Sequence, residues 1–317
     1  MPSILGIDTS NYTTSSALFD TDTKEVKECR KLLPVKPGER GIRQSDAVFY
    51  HVRQLPQMLE ELRDKNSGSA LKPDIVCCSV SPTGEDGSYM PCFLAGVSAA
   101  KAIKVSSGCE YIETTHQAGH IYAALYSAGK LDLLKTKKRF ISFHVSGGTT
   151  DCLLCSPGDN GIKITTLCRS LDLKAGQAVD RVGLMLGLDF PCGIELEKLA
   201  QKSDKSHKIH VYVKDGSCSL SGVENKCADM LRRGELPCDI ALFCLEYIYT
   251  AIREMTKYQL DALGAMPVVY AGGVMSDKLI ANKLSGDFDD VYFAAPEFSR
   301  DNALGVCVAA AHIKGLI

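Results

Sequence analysis

No run of roughly 18 apolar residues occurs in the 317-residue chain, so no membrane-spanning helix is expected. The first residues lack the charged-then-apolar pattern of a secretory signal, and the expected compartment is the cytoplasm. Basic residues do not outnumber acidic ones. Thirty-six Lys and Arg against 38 Asp and Glu leave a net charge of -2, so there is no global basic footprint. A nucleic acid would have to meet a local patch or be held by a partner. No Ser/His/Asp or Cys/His arrangement has supporting context, which argues against a nucleophilic hydrolase. Cysteine, by contrast, is plentiful at 14. Several cysteines sit inside apolar runs, such as Cys77-Cys78, Cys244 and Cys307, and read as reduced, buried thiols. Cys152-Leu-Leu-Cys155 has metal or redox spacing. It lies on a predicted strand, where positions i and i+3 face opposite sides, which disfavours a shared ligand.

The chain is organised around Phe143-His-Val-Ser-Gly-Gly-Thr-Thr-Asp151, which reads as two strands joined at Gly147-Gly148. Glycine there lets backbone approach a ligand closely, and successive amides with the Ser146, Thr149 and Thr150 hydroxyls would form an anion nest. The N-terminus has a similar design. Ile4-Leu-Gly-Ile-Asp8-Thr-Ser10 is a strand, Asn11-Tyr-Thr-Thr14 a polar turn and Ser16-Ala-Leu-Phe19 the return strand. Two ordinary hairpins remain the alternative, since turns are rich in these residues anyway.

Apolar runs predict strands over 4–8, 15–19 and 25–33, then a loop at 34–41. A helix over 45–63 follows, with Val48, Val52, Leu55, Leu59 and Leu62 at helical spacing. A strand over 74–80 leads to a turn cluster, Ser81-Pro-Thr-Gly-Glu-Asp-Gly87, suited to a ligand or to simple chain reversal. A small-residue-rich helix covers 89–104, a strand 110–113, and a helix runs from 116 to about 128. The second half repeats the order. Strands fill 139–168, and helices cover 177–187, 193–201, 225–233 and 239–263. A strand over 267–271, a helix over 276–284, a strand over 291–294 and a last helix over 301–312 complete the chain. His207 and His210 fall in a stretch without periodicity and read as surface residues. Alternating strands and helices in both halves predict an α/β protein with two similar lobes.

His116 and His120 are spaced i, i+4, so on a helix they share one face and can bind one cation. Thr114 or Thr115 is a plausible N-cap, which places His116 in the first turn. Two unrelated polar positions on an amphipathic helix are the alternative. A third ligand must come from elsewhere. Asp301 sits at the start of the predicted last helix, where a carboxylate is also favoured as a cap. Two imidazoles and a carboxylate suit Fe(II) or Zn²⁺. His-Gln-Ala-Gly-His lacks the Glu that metalloproteases place beside the first His.

Six pieces in one order resemble the N6-threonylcarbamoyladenosine synthase family, also described as glycoproteases. They are Gly6-Ile-Asp-Thr-Ser10, Thr115-His-Gln-Ala-Gly-His120, Val145-Ser-Gly-Gly148, Ala175-Gly-Gln-Ala-Val-Asp180 with Leu186-Gly-Leu-Asp-Phe-Pro191, Ala271-Gly-Gly-Val274, and Asp301-Asn302. The resemblance implies the actin-like ATPase (ribonuclease H-like) fold, with two lobes around a nucleotide cleft. Residues 1–134, with the closing helix 301–317 packed back, would form one lobe and 135–300 the other. It also implies transfer of a threonylcarbamoyl group from threonylcarbamoyl-AMP to the N6 of adenosine 37 in tRNA. Partner proteins, in a homodimer or a hetero-complex, are implied as well. His116, His120 and Asp301 would hold one divalent metal, Fe or Zn. Val145, Ser146, Gly147 and Gly148 would hold the phosphates of ATP or threonylcarbamoyl-AMP, and Asp180 and Gly193 would sit by the sugar. Asp8, Thr149, Gly272, Gly273 and Asp277 complete the implied nucleotide set.

The departures are specific. The family has His where Thr149 stands, Glu where Gln177 stands, and Asn where Asp277 stands. Its Gly-rich Pro-Gly loop is replaced by the cluster at 81–87. These changes keep two rivals open: carbamoyl transfer to an acceptor other than tRNA, and a nucleotide-binding regulatory protein without transfer. With no net positive charge, the isolated chain is expected to bind tRNA weakly, at a Kd of roughly 10⁻⁴–10⁻⁶ M.

Overall fold

The computed structural model describes residues 2–10, 12–34, 42–301 and 303–317. Asn11, most of the loop at 34–41 and Asn302, all used in the sequence reading, lie outside the described residues. The chain forms two compact units. One comprises Met1–Lys138, Pro157–Lys163 and Arg300–Ile317, the other Arg139–Ser156 and Ile164–Ser299.

The first unit is built on strands β1 (Ser3–Ser10), β2 (Thr13–Asp20), β3 (Val26–Leu32), β4 (Ile75–Ser79) and β5 (Glu110–Thr114), in the order β3-β2-β1-β4-β5. β2 runs antiparallel to both β1 and β3, and β4 runs parallel to β1 and β5. β1 is central and buried on both faces, which is why Ile4-Leu-Gly-Ile7 is a continuous apolar run rather than an alternating one. Helices α1 (Gln44–Lys65), α2 (Phe93–Ser107), α3 (His116–Ser127) and the short α4 (Asp132–Lys135) belong to this unit, as does the C-terminal helix Leu304–Ile313. Leu55, Met58 and Leu62 of α1 join Leu5, Ile7, Val76 and Cys78 in one core cluster. The C-terminal helix is apolar on every side apart from His312 and is buried from Leu304 to His312, as such a sequence requires. It meets α3 so closely that a Cβ on Gly305 would lie 1.8 Å from the Gly119 carbonyl oxygen. Tyr122 and His312 join the same two helices by a 2.7 Å hydrogen bond.

The second unit repeats the plan. β6 (Phe140–Val145), β7 (Thr150–Gly158), β8 (Gly161–Arg169), β11 (Val268–Ala271) and β12 (Val291–Phe293) are ordered β12-β11-β6-β7-β8. β6 pairs antiparallel with β7 and parallel with β11, as β1 does with β2 and β4. Helices α5 (Ala175–Met185), α6 (Gly193–Ala200), α7 (Ser221–Arg232), α8 (Pro237–Leu263) and α9 (Lys278–Asp287) pack here, and a two-residue hairpin pairs β9 (Val213–Lys214) with β10 (Ser217–Cys218). Val179, Val182, Leu196, Ile248 and Ile252 bury against Phe143 and Tyr270. These two rings stack at 5.2 Å. The C-terminal helix, α10, closes the chain.

All 14 cysteines are free, and all but the half-buried Cys238 are buried. No helix among the described residues is long and apolar enough to cross a membrane. His207 departs from the sequence reading. It is half-buried, 3.0 Å from Glu246 and edge-on to Phe243, because α8 supplies both partners. His210 is exposed.

Candidate functional site

The parallel strands β1 and β4 end at Ser10 and Ser79, and both hydroxyls donate to the buried carboxylate of Asp8. The C-terminal ends of such strands are where open α/β sheets place their sites. β5 ends one residue before Thr115, whose hydroxyl caps α3 by accepting the Ala118 N–H at 3.1 Å. The first-turn amides of His116 and Gln117 donate to the Ser81 and Pro82 carbonyls at 2.9 Å each. The turn cluster at 81–87 therefore satisfies donors that a helix start leaves open.

This capping fixes His116 with Nδ1 3.2 Å from Asp8 Oδ2. A carboxylate at that nitrogen selects the Nδ1–H tautomer and leaves Nε2 with its lone pair. That Nε2 lies 3.1 Å from His120 Nε2 and 3.6 Å from Asp301 Oδ1, and His120 Nε2 is 3.3 Å from the same oxygen. Donors bound to one metal at about 2.1 Å sit roughly 3.0–3.4 Å apart. The three side chains could therefore hold a divalent cation, and their ligand atoms all fall within 4.8 Å of one another. Thr13 donates to the other oxygen, Oδ2 of Asp301, at 3.1 Å. Burial alone would raise the Asp301 carboxyl, but His120, His116 and Thr13 hold it well below the usual carboxylate range. Burial likewise would lower His116, yet Asp8 and Asp301 lift it to about 9.

One sequence expectation changes here. Asp301 is not a helix cap, since α10 starts three residues later at Leu304 and the side chain turns to His120 and Thr13. Asp8, which the resemblance puts in the nucleotide set, lies behind His116 in this structure. The sequence reading missed Ser79 and Thr13. Ser79 had one visible signal, a polar residue closing the buried run Ile75-Val-Cys-Cys.

The remaining candidates lie in the second unit. The turn between β6 and β7 is closed by the Ser146 N–H donating to the Thr149 carbonyl at 2.8 Å. The Ser146 hydroxyl accepts from the Gly148 and Thr149 amides at 3.3 and 3.2 Å and pairs with the Thr149 hydroxyl at 2.8 Å. Neither Gly147 nor Gly148 has positive φ. In this structure the Gly148 and Thr149 amides therefore point to the Ser146 hydroxyl within the turn. A Cβ at Gly147 or Gly148 would meet nothing within 4 Å, so both present open backbone. Two other glycines buttress the turn. A Cβ on Gly176, at the start of α5, would lie 2.5 Å from the Gly147 nitrogen, and one on Gly272, at φ 99°, would lie 2.3 Å from the Val145 oxygen.

Asp180 accepts the Cys192 N–H at 2.9 Å, next to Gly193 at the start of α6, and burial raises its carboxyl. Asp277 caps α9 by accepting the Ile280 N–H at 3.0 Å. Burial raises its carboxyl to about 6, and Glu197 adds to the rise. Gln177 accepts the Lys174 N–H at 3.4 Å, the reciprocal half of a capping box. Gly273 follows Gly272 in the turn after β11. Cys152 and Cys155 are buried, and burial pushes both thiols up.

The model of the family TsaD, tRNA N6-adenosine threonylcarbamoyltransferase, matches residues 33–306. A probable bifunctional tRNA threonylcarbamoyladenosine biosynthesis protein of Thermoplasma acidophilum is 25% identical over 311 residues, 97% of this chain. The chain spans about half of that protein's own length, 55%. A tRNA N6-adenosine threonylcarbamoyltransferase of Fervidobacterium nodosum is 26% identical over 316 residues, covering 95% of this chain and 90% of its own. Among solved structures, HypF of T. kodakarensis superposes with a TM-score of 0.61 at 13% identity, over 99% of this chain and 48% of its own. Component A of the Acidaminococcus fermentans (R)-2-hydroxyglutaryl-CoA dehydratase gives 0.57 at 16%, over 100% and 99%. The structural likenesses bear on fold alone, and the fold is that of the two-lobed actin-like ATPases. With a family model matched over most of its length, the chain belongs to the TsaD family of tRNA N6-adenosine threonylcarbamoyltransferases.

Proposed function

We propose that the chain transfers a threonylcarbamoyl group from threonylcarbamoyl-AMP to the N6 of adenosine 37 in tRNA, with one divalent metal on His116, His120 and Asp301. The observation that carries this reading is the convergence of two Nε2 atoms and one carboxylate oxygen, with Asp8 behind His116. In the reaction the N6 amine attacks the carbamoyl carbon, the C–O bond to the phosphate breaks, AMP leaves with the electron pair, and the proton lost from N6 passes to solvent. A metal would supply polarisation of the carbonyl and a fixed orientation for the carbamoyl group. The chain's own contribution is positioning. Asp8 holds the His116 ring, Thr13 holds Asp301, and Thr115 fixes the start of α3. Open backbone at Gly147 and Gly148, braced by Gly176 and Gly272, offers the leaving phosphate a close approach. Asp180 and Gly193 would sit by the sugar, and Asp277 and Gly273 by the base. A partner protein, in a complex with this chain, would supply most of the basic surface for tRNA.

One observation favours a second reading, a nucleotide-binding regulatory protein without transfer. The Gly148 and Thr149 amides are already taken by Ser146, which weakens the turn as a phosphate cradle. Single-turnover transfer from synthetic threonylcarbamoyl-AMP to unmodified tRNA separates the two. The modified nucleoside should form with the metal-loaded chain and its partners. ATP binding without any product would favour the regulatory reading.

A further inference from the structure

The first unit carries a pocket of about 320 Å³ between β3 and α1, away from the His116, His120 and Asp301 cluster. Lys31 and Leu32 line it from β3, and Tyr50, Arg53, Gln54 and Gln57 line it from α1. Its place in the sheet ties it to the metal cluster. Leu32 pairs with Thr13 on β2, and Thr13 donates to Asp301. The pocket wall is thus one strand, about 4.8 Å, beyond a direct partner of a candidate ligand. Gln54 forms a fixed floor. Its amide donates to the Leu32 carbonyl at 3.2 Å and accepts from the Thr14 hydroxyl at 2.8 Å.

The lining is cationic, and the Glu61 carboxylate, which Lys31 helps to stabilise, forms its ion pair with Lys65 instead. Lys31 donates to Gln57 at 3.3 Å, and Arg53 lies over the Phe49 ring at 5.4 Å. Among the described residues, neither forms an ion pair with a carboxylate. Glu61, one turn beyond Gln57, is paired with Lys65 at 3.0 Å. Leu32 is 72% exposed and Phe49 54%, so the two cations stand among apolar and aromatic surface. Paired cations take a phosphate, a tyrosine ring beside apolar surface takes a base, and glutamine amides take base or ribose edges. That combination is how proteins hold single-stranded RNA loops. A purely acidic protein partner would need the charges but not the aromatic neighbours.

We propose that this pocket receives one nucleotide of a single-stranded RNA loop, its phosphate on Lys31 and Arg53 and its base against Tyr50 and Leu32. The inference rests on the reading of the chain as a tRNA-modifying transferase and names the surface that would hold the nucleotide flanking the acceptor.

The test uses the full chain and a fluorescein-labelled tRNA anticodon stem–loop, read by anisotropy across a salt series. Lys31→Ala/Arg53→Ala should weaken binding on the order of tenfold and reduce the log–log salt slope by about 0.7, the loss of one neutralised phosphate. Arg181→Ala/Lys226→Ala, on the other unit, should bind as wild type. Circular dichroism and metal content should match wild type in both. Wild-type RNA affinity in the pocket variant overturns the proposal, as does a wild-type chain that binds no RNA. Polyglutamate displacing the RNA as effectively as unlabelled RNA does would assign the pocket to an acidic protein and overturn it too. The transfer assay separates this inference from the functional reading. Pocket-dependent RNA binding with no transfer contradicts the function and upholds the pocket. Normal transfer with an unchanged tRNA KM in the pocket variant upholds the function and contradicts the pocket.

Discussion

Asp8→Asn tests how the His116 ring is held. Asp8 is 1% exposed, takes the Ser10 hydroxyl at 2.6 Å and lies 3.2 Å from His116 Nδ1. Asparagine keeps the shape and one carbonyl acceptor, so β1 should stay in place. It removes the anion and can present its NH₂ to Nδ1. The ring would then favour the tautomer with hydrogen on Nε2, the nitrogen that faces His120 and Asp301. Loss of such an outer partner lowers metal affinity by roughly 10- to 100-fold, or about 1.4–2.7 kcal/mol. The pH dependence should change as well. In the metal-free protein burial would lower His116, but Asp8 and Asp301 raise it to about 9. Metal must displace that proton, so wild-type affinity should fall steadily as pH drops below about 9. In Asp8→Asn the fall should begin at lower pH. Competition against a fluorescent chelator across pH measures both effects, with a thermal melt to confirm the fold. A folded variant with wild-type affinity and wild-type pH dependence would refute the argument.

Gly148→Val should leave stability within about 0.5 kcal/mol, since a Cβ there meets nothing within 4 Å, yet weaken ATP binding by calorimetry. Unchanged affinity would make the turn only a hairpin. Gly305→Ala should cost at least about 1–3 kcal/mol in chemical unfolding, because its Cβ would lie 1.8 Å from the Gly119 oxygen. A neutral result would mean α3 and α10 are not held as described. Burial lowers His51 to about 4, against an ordinary 6.5, with Asp8 opposing only in part. The folded pKa is depressed, so this contribution is present above pH 6.5 and is lost as pH falls through 4. It amounts to up to ~3 kcal/mol. His51→Gln should flatten the acid limb of a stability–pH curve, and parallel curves for mutant and wild type would exclude His51 as its source.

Much of the fold is legible because local pattern and final environment agree. The apolar run at Ile4–Asp8 is a central strand, and the helical spacing of Leu55, Leu59 and Leu62 is the inner face of α1. Elements too short to show a period are not legible: α4 has four residues, and β9 and β10 have two each. At the site, the adjacency of His116 and His120 follows from their spacing and from the Thr115 cap. Their relation to Asp301 does not, because the α3–α10 contact that brings them together joins residues more than half the chain apart. The position of Asp8 behind His116 depends on where β1 lies beside β4 in the sheet, which no local pattern encodes. The Ser146 turn is a different case. Its Gly-Gly composition suggests an anion nest, and composition does not show that the serine hydroxyl also takes the Gly148 and Thr149 amides. His207 misleads for a similar reason, since its partners Glu246 and Phe243 come from α8.

The most direct test of the central claim is anomalous diffraction from crystals of the chain grown with Fe(II) or Zn²⁺, with data on both sides of the metal edge. The account predicts one peak at about 2.0–2.2 Å from His116 Nε2, His120 Nε2 and a carboxylate oxygen of Asp301. It also predicts that the peak is lost in His116→Ala crystals of the same fold. A peak bound elsewhere, or none at these three atoms in crystals soaked with excess metal, would contradict it.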